Sequence, residues 1–220
     1  MKADTVGGIT PAVLVTLAHG EKVLAAHGIM LYKETPVKVH RRTMKSLGVS
    51  TAHLMGMHAL GDNEESYFFA EFEGPGHVSL SRDRGGEVRI VPLAQNQSVR
   101  LRNGHLICFD ESVRYYPMVL LKYQDPVPDS NGNHPTRYVF ADELTGPGTI
   151  VFQSYGNVLS FELKPGEMMR TSVEGLLAAA QSVQIRINWL AGAQLAGTGN
   201  IAIPVLDVVG PGMVMVHSGA

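Results

Sequence analysis

The chain has 220 residues, of which 45% are hydrophobic and 17% are charged, and its formal net charge is −2. A chain of this length can bury a core without metal or disulfide staples, and its weak net charge favours neither nucleic acid nor an anionic membrane as a partner. The 24 glycines and 12 prolines are spread singly, which is typical of short strands joined by turns.

The N-terminal segment 1–5 has no apolar core and no cleavage site, and no stretch approaches the length of a transmembrane helix. Cys108 is the only cysteine, so an internal disulfide is excluded and a reducing compartment is favoured. We therefore expect a cytoplasmic protein with no membrane span. Because Cys108 lies in the apolar run 105–109, we expect a buried thiol rather than a nucleophile.

A Gly-Pro-Gly motif followed by an alternating apolar segment occurs three times, at residues 74–76, 146–148 and 210–212. Proline fixes φ and has no N–H, while the flanking glycines can take positive φ or let another backbone approach. The motif therefore predicts the end of one strand and the start of the next. The alternating residues that follow predict a half-buried strand.

A second motif, Leu-x-x-Gly-Glu, occurs at 17–21 and 163–167, and its middle copy carries Gln97 and lacks the glycine. Turn signals at 84–87 and 155–158 predict hairpins, and the pairs 103–104 and 165–166 predict further turns. We expect an all-β fold of duplicated β-hairpin units in a double-stranded β-helix or prism-like barrel.

We predict a single domain over residues 1–220, with units near 74–115 and 146–190. A third unit would be split between 9–40 and 205–220, so that strand 213–217 pairs beside Ala12–Leu17. Such pairing would seal sheet edges, which otherwise invite aggregation.

Two segments interrupt the repeats. Residues 43–65 form an inserted region with several methionines, and 124–136 is rich in Pro, Asp and Asn, which predicts a loop. Segment 173–181 has the best local helical composition, but its counterpart in the repeat predicts a strand, so we expect a strand or turn there.

These motifs, in this order, resemble the altered-inheritance-of-mitochondria protein family, number twenty-four, over nearly the whole chain. The resemblance implies the fold group of the tryptophan-sensing RNA-binding attenuation protein, an attenuation-protein-like body that assembles into a homo-oligomer. Bacterial members have no known function, and the family offers no catalytic residues to transfer. Eukaryotic members are associated with mitochondrial inner-membrane organisation, a role that this chain, without transit-peptide character, does not inherit.

Nine histidines raise the question of a metal site, but no His-x-His pair occurs. His53 and His58 are five residues apart, which would place them on opposite faces of a strand. His77 and His105 lie in different blocks and could meet only through the fold. We expect satisfied or surface histidines and assign no metal ligand and no cofactor.

Three other motifs are weaker. Asp129, Asn131 and Asn133 mimic the start of a calcium loop, but the later EF-hand positions do not match, so a solvated turn is favoured. Residues 197–202 fit Gly-x-Gly-x-x-Ala, but the 18 residues that follow Ala202 read as strand rather than helix, so a dinucleotide site is rejected. The basic run 38–45 lacks interleaved aromatic residues, which favours a protected strand edge over a nucleic-acid site.

No catalytic, cofactor-binding or metal-binding residues are assigned, and we expect no enzyme activity. The favoured function is a non-enzymatic homo-oligomeric scaffold or interaction protein, with a trimer as the favoured assembly and an unidentified protein as a second partner. Either the Met-rich segment 44–57 or the strand 213–216 would contribute the contact face. The alternative is a small-ligand-binding module with a pocket in the barrel or between subunits.

Overall fold

The computed structural model describes residues 1–62, 68–82, 84–125, 128–191 and 202–219. These residues form nineteen strands, one α-helix and one short 3-10 helix. The predicted all-β class is therefore confirmed.

The strands fall into three consecutive repeats of six strands, preceded by β1 (Lys2–Val6). The first repeat contains β2 (Ala12–Leu17), β3 (Lys22–Ala25), β4 (Met30–Lys33), β5 (Lys38–Thr43), β6 (Phe68–Glu73) and β7 (Gly76–Leu80). The second contains β8 (Val88–Leu93), β9 (Ser98–Arg102), β10 (Leu106–Asp110), β11 (Arg114–Gln124), β12 (Thr136–Thr145) and β13 (Gly148–Gln153). The third contains β14 (Val158–Leu163), β15 (Met168–Ser172), β16 (Leu176–Ala180), β17 (Gln184–Ala191), β18 (Ala202–Val209) and β19 (Gly212–His217).

All three repeats pair their strands in the same antiparallel pattern. The sixth strand lies between the first and the third, and the fifth strand lies between the second and the fourth. Consecutive repeats are then joined by pairing the second strand of one with the third strand of the next. This joint, called a junction below, is made by β3 with β10 and by β9 with β16.

The junctions produce four sheets. Sheet 1 has the order β1-β2-β7-β4, sheet 2 β5-β6-β3-β10-β13-β8, sheet 3 β11-β12-β9-β16-β19-β14, and sheet 4 β15-β18-β17. Three buried clusters lie between consecutive sheets, because each contains side chains from two neighbours in this series. Sheets 2 and 3 therefore have a core on both faces.

Strand β10 shows what burial on both faces requires of a sequence. Ile107 and Cys108 belong to the cluster shared with sheet 1, whereas Leu106 and Phe109 belong to the cluster shared with sheet 3. A strand with two buried faces is a continuous apolar run rather than an alternating one. This explains the run of apolar residues that surrounds Cys108, and the expected burial of its thiol is confirmed.

The three Gly-Pro-Gly motifs link the fifth strand of each repeat to its sixth, as predicted. A Cβ atom on Gly146 would overlap the backbone oxygen of Ala94, and the equivalent glycines of the other repeats meet backbone in the same way. The third residue of the motif has φ of +132°, +139° and +129° in the three copies. The first glycine thus permits close backbone approach and the last supplies positive φ.

The incomplete middle copy of the Leu-x-x-Gly-Glu motif forms the same turn as the complete copies. Asn96 has φ of 61°, close to the 74° of Gly20 and the 78° of Gly166. Asparagine tolerates this left-handed conformation better than most residues. Gln97 then accepts a hydrogen bond of 2.9 Å from the backbone N–H of Ala94, as a glutamate does in the other two copies.

The predicted hairpins at 84–87 and 155–158 are wrong. These segments connect repeats, because β8 pairs with β13 and β14 pairs with β19 rather than with the strand that precedes each of them. The glycines in these two segments allow the segments to contact each other closely. Gly86 and Gly156 form a parallel bridge, and a Cβ on Gly86 would overlap the backbone oxygen of Ser154.

The predicted pairing of strand 213–217 with Ala12–Leu17 is also wrong. Strand β19 lies between β14 and β16, and β2 lies between β1 and β7. The Gly-Pro-Gly motif stands near the end of a unit, not at its start, so the first and third repeats are each complete. No unit is split between the termini within the described residues.

The two interrupting segments lie between strands, one between β5 and β6 and the other between β11 and β12. The inserted region contains a 3-10 helix at Met44–Leu47 and the helix α1 at Thr51–Ala59, which composition did not reveal. Ser50 caps α1 by accepting a hydrogen bond of 3.1 Å from the N–H of His53. The loop predicted at 124–136 lies between β11 and β12, and segment 173–181 is a turn followed by β16, as expected.

Candidate functional site

The internal repeat leaves one junction unmade. A third junction, equivalent to the two that join the repeats, would pair β15 of the third repeat with β4 of the first. Instead, among the residues that the structure describes, β4 pairs only with β7 and β15 only with β18, so both are edge strands. We call β4 and β15 the end strands, because they are the unpaired ends of an otherwise repeating series.

The register identifies which residues of β4 correspond to residues in the made junctions. In each repeat the third strand pairs with the sixth and contains a β-bulge at the same place. Met30 is paired with Leu80 as Leu106 is with Phe152, and Tyr32 follows after the bulge as Cys108 does. A bulge that recurs three times is a built feature of the strand rather than a defect.

Equivalent residues of the third strands differ sharply in burial. In β4, Met30, Leu31 and Tyr32 are 46%, 61% and 52% exposed. Their counterparts in the second and third repeats are at most 3% exposed, and they are Leu106, Ile107, Cys108, Leu176, Leu177 and Ala178. Three consecutive large apolar side chains are thus exposed at positions that the fold otherwise buries. The difference coincides with the missing partner strand.

Strand β15 combines exposed apolar surface with a charged pair. Met168 is 58% exposed. Arg170 donates two hydrogen bonds to the carboxylate of Asp207, at 2.6 and 3.1 Å, and these bonds hold the pKa of Asp207 below its ordinary value. The guanidinium of Arg170 therefore already has a partner on its own sheet.

Beside β4, Glu34 is fixed by His77. The backbone N–H of His77 donates to one carboxylate oxygen and the ring Nδ1 lies 2.9 Å from the other, which lowers the pKa of Glu34. Lys33 is the last residue of β4, and its Nζ donates a long hydrogen bond of 3.4 Å to the backbone oxygen of Glu34. The end strand β4 is therefore apolar, with one weakly engaged cation near its end.

The histidines considered as metal ligands are separated and bonded to other groups. His53 and His58 lie on α1, not on a strand, and His53 Nε2 is 2.7 Å from the backbone oxygen of Pro117. His77 lies beside Glu34, and His105 Nδ1 is 2.7 Å from the backbone oxygen of Gln153. Across the described ranges of the chain, no group of three metal-ligating side chains comes together.

Residues 38–43 of the basic run form β5, an edge strand of sheet 2 as predicted, and residues 44 and 45 begin the 3-10 helix. Lys38 Nζ is 3.2 Å from Glu73, and Arg42 is 2.9 Å from Glu71. These carboxylates on the neighbouring strand β6 offset the positive charge. The preference for a protected strand edge over a nucleic-acid site agrees with this pairing.

The calcium-like motif is a turn, as predicted, because Asp129 Oδ1 accepts hydrogen bonds of 2.9 Å from the N–H groups of Asn131 and Asn133. The Gly-x-Gly-x-x-Ala motif lies outside the described residues except for Ala202, which begins β18. The thiol of Cys108 is fully buried, and burial raises its pKa well above the ordinary value.

Sequence reasoning missed a buried polar cluster where sheets 2 and 3 meet the inter-repeat connections. His105, Gln153 and His217 are buried there, and Arg84 stacks on the ring of Tyr155 at 4.3 Å. Burial lowers the pKa of His105 to about 3, so its ring is neutral at physiological pH. No motif reveals this cluster, because its members are far apart in sequence.

The two predicted contact faces have different outcomes. The strand 213–216 cannot provide one, because β19 is an interior strand in which Val214 and Met215 are buried. The segment 44–57 partly lines an apolar groove of about 680 Å³ beside α1, where Met55 is 69% exposed.

Among the described residues, no helix is long and apolar enough to cross a membrane.

Comparison with known proteins agrees with this architecture. The crystal structure of a Streptococcus pyogenes protein solved by a structural genomics consortium is similar over 99% of this chain and 93% of that one, with a TM-score of 0.68 and 22% sequence identity. A search of curated proteins finds no match. The family model described as mitochondrial biogenesis AIM24 matches residues 4–219. The chain therefore belongs to the mitochondrial biogenesis AIM24 family.

Proposed function

We propose that this protein is a non-enzymatic scaffold that works as a homo-oligomer and recruits other proteins through its assembled surface. The observation that carries the proposal is the exposure of Met30, Leu31 and Tyr32 at positions that are buried in the other two repeats. Contiguous exposed apolar residues mark interaction sites on soluble proteins. Open sheet edges are templates for pairing with another chain.

The proposal of a scaffold rather than an enzyme is supported by how the polar side chains are used. His53 and His105 are engaged with backbone oxygens, and Lys38 and Arg42 of the basic run are engaged with carboxylates. The single thiol is buried, and burial raises its pKa, so a nucleophilic role is disfavoured. A cytoplasmic location, which we also propose, fits a chain whose one cysteine is a core residue.

The test of self-association is native mass spectrometry and light scattering of the purified protein over a dilution series. We expect a defined oligomer, with three copies as the predicted number, that dissociates on dilution. A protein that stays monomeric at every concentration would overturn the proposal.

A matched pair of variants locates the contact. Leu31→Asp places a charge on the end strand β4, and Leu159→Asp places the same charge on the edge strand β14, where Leu159 is 55% exposed. We expect Leu31→Asp to yield monomers and Leu159→Asp to assemble like the unmodified chain. Equal assembly of both variants would place the contact elsewhere.

The second candidate function is binding of a small amphiphilic acid, and the groove beside α1 favours it. The groove is lined mainly by apolar groups, including Met44, Leu54 and Met55, with the cation Lys45 among them. Its volume is within the range typical of ligand pockets. Titration calorimetry with dodecanoate should show binding that Leu54→Arg abolishes and that Leu60→Arg, outside the lining, leaves intact.

A further inference from the structure

We infer that the cavity beside His105 binds a small uncharged aromatic molecule that carries a hydroxyl group, and that this hydroxyl donates a hydrogen bond to His105 Nε2. The inference concerns the connection between the second and third repeats. It goes beyond the proposed scaffold function and does not depend on it. Its basis is a buried acceptor on the wall of a cavity, which no donor of the described residues reaches.

The cavity lies in the buried polar cluster where sheets 2 and 3 meet the inter-repeat connections. Its volume is about 250 Å³. The lining comes from the second repeat, the third repeat and the connection between them, and consists of Arg102, His105, Tyr155, Glu174, His217 and Gly219. A cavity of roughly 150 Å³ can hold a benzene molecule, so this one has room for a single ring with a substituent. Tyr155 and Glu174 are exposed, which places the entrance on their side.

His105 is 3% exposed, and its two ring nitrogens have different surroundings. Nδ1 lies 2.7 Å from the backbone oxygen of Gln153, which can only accept, so Nδ1 carries the proton. The guanidinium of Arg84, 3.4 Å from Nδ1, donates to the backbone oxygens of Gly104 and Gln153. Because burial lowers the pKa of His105 to about 3, the ring is neutral at physiological pH and Nε2 is left as an acceptor.

The second histidine and the two charged side chains of the lining are already engaged. The ring nitrogens of His217 lie 3.1 Å from the backbone oxygen of Tyr155 and 2.8 Å from that of Glu174. The guanidinium of Arg102 donates to the backbone oxygen of Val173 and to the carboxylate of Glu174. His105 Nε2 is therefore left without a donor from the lining, and a buried acceptor without a donor is costly.

The charges around the cavity disfavour an ion as the ligand. Arg84 and Arg102 both contribute to the lowered pKa of His105, so the surroundings of its ring are positive and would repel a cation. An anion without a proton to donate would face the lone pair of Nε2 and would pass the carboxylate of Glu174 at the entrance. An uncharged donor meets neither obstacle.

The walls of the cavity favour a flat aromatic ligand. The ring of His105 is edge-to-face with the rings of Tyr155 and His217, with centroids 5.3 Å apart in both pairs. Tyr155 and His217 stack on each other at 5.9 Å. A further ring can pack against this wall in the same geometries, which stabilise aromatic pairs beyond the area they bury. Phenol combines one such ring with a neutral hydroxyl donor and is therefore the probe.

The equivalent place in the first repeat lacks this chemistry. Met30 and Leu106 are equivalent in their pairing with the sixth strand, so Ile29 occupies the position of His105. The side chain of Ile29 cannot accept a hydrogen bond. We therefore expect one such site in each chain, at the connection between the second and third repeats.

The test is a titration of the purified full chain with phenol, followed by calorimetry and by nitrogen NMR of the histidine rings. Phenol should bind saturably and move the resonance of His105 Nε2. Fluorobenzene has a similar shape but no donor, so it should bind at least about tenfold more weakly. Cyclohexanol keeps the hydroxyl but lacks the flat ring, so it should bind several-fold more weakly than phenol.

Matched substitutions locate the site. Tyr155→Ala removes one wall of the cavity, and Tyr116→Ala removes a tyrosine outside it, the two side chains being 43% and 44% exposed. We expect Tyr155→Ala to weaken phenol binding several-fold and Tyr116→Ala to leave it unchanged. Leu54→Arg, which blocks the groove beside α1, should also leave it unchanged. A melting curve shows that each variant is folded, and the ligand series on the unmodified chain does not depend on the variants.

Four outcomes would overturn the inference. Phenol that does not bind at millimolar concentration removes the site. Fluorobenzene that binds as tightly as phenol shows that no hydrogen bond to Nε2 is made. Phenol binding that persists in Tyr155→Ala, or that leaves the His105 resonance unmoved, places the ligand elsewhere. Cyclohexanol that binds as tightly as phenol rules out the aromatic class. The oligomeric state of the protein bears on none of these results, so the scaffold proposal is tested separately.

Discussion

Strands β10 and β4 occupy the same place in two repeats, yet one is in the core and the other is at the surface. Both are short, apolar and bulged after their first residue. Ile107 of β10 is fully buried, whereas its counterpart Leu31 is 61% exposed. The strands themselves do not cause the difference, which follows from whether a second strand of another repeat is present. Whether a third strand is buried in this fold thus depends on whether the second strand of another repeat pairs with it.

The largest effect is expected from the same substitution at these two positions. Ile107→Asp buries a charge with no partner, which should cost at least about 4 kcal/mol and prevent stable folding. Leu31→Asp should change the unfolding free energy of the monomer by no more than about 0.5 kcal/mol. Urea unfolding of the two variants measures the contrast. Similar losses would mean that β4 is buried in the monomer.

The next effect tests whether the Gly-Pro-Gly connections are equivalent in different repeats, although β10 and β4 differ in burial. Gly146→Val should lose about 3 kcal/mol, because the new Cβ overlaps the backbone oxygen of Ala94. Gly74→Val should lose a similar amount, because Gly74 meets the backbone oxygen of Ala18 in the same way. Melting temperatures measure both. An unchanged melting curve for either variant would contradict the close approach.

A third effect concerns the residues that precede the two strands. His105 precedes β10, whereas its counterpart Ile29 precedes β4. Burial lowers the pKa of His105 to about 3, below its ordinary value of 6.5. Between these values the unfolded chain binds a proton that the folded chain does not, so stability falls as the pH decreases.

The loss from His105 should reach about 2 kcal/mol between pH 7 and pH 5. His105→Gln, which cannot titrate, should remove most of that loss. The substitution His134→Gln, on an exposed loop, serves as the control. Urea unfolding at the two pH values is the measurement, and an unchanged pH dependence in His105→Gln would contradict the assignment.

The smallest effect is expected at the turn that all three repeats share. Asn96→Gly should change stability by no more than about 0.5 kcal/mol, because asparagine already adopts the conformation of Gly20 and Gly166. Asn96→Val should be clearly worse, since a β-branched residue is disfavoured at positive φ. Equal melting temperatures for the two variants would show that the turn does not constrain its residue.

Much of the fold could be predicted from local chemistry. Strand ends were predicted from the Gly-Pro-Gly motifs, and a connection was predicted at 124–136. A buried thiol was predicted from the apolar run around Cys108. Each of these features depends on nearby residues. The boundaries of the repeats could not be predicted. A recurring motif shows that a repeat exists, but it does not show whether the motif lies at the start or near the end of the repeat. The turns at 84–87 and 155–158 misled for a similar reason, because glycine signals a close backbone contact as readily as a hairpin.

The candidate site could not be predicted from the sequence, for a different reason. Met30, Leu31 and Tyr32 resemble the equivalent residues of buried strands, so composition alone predicts burial. Their exposure depends on the absence of a neighbouring strand, which only the pairing order reveals. The helix α1 was missed because residues 51–59 include Gly56 and two histidines and lack a clear apolar period.

Covalent linkage of three repeats has a consequence for how the protein responds to its own abundance. The two junctions inside the chain are tethered, so their effective concentration is fixed by the connecting loops and does not change with expression level. In the proposed assembly, the contact between copies has no such tether and would obey mass action. Under that proposal, a cell that makes more of this protein would increase the assembled fraction without altering any single copy, so the degree of assembly would follow protein concentration.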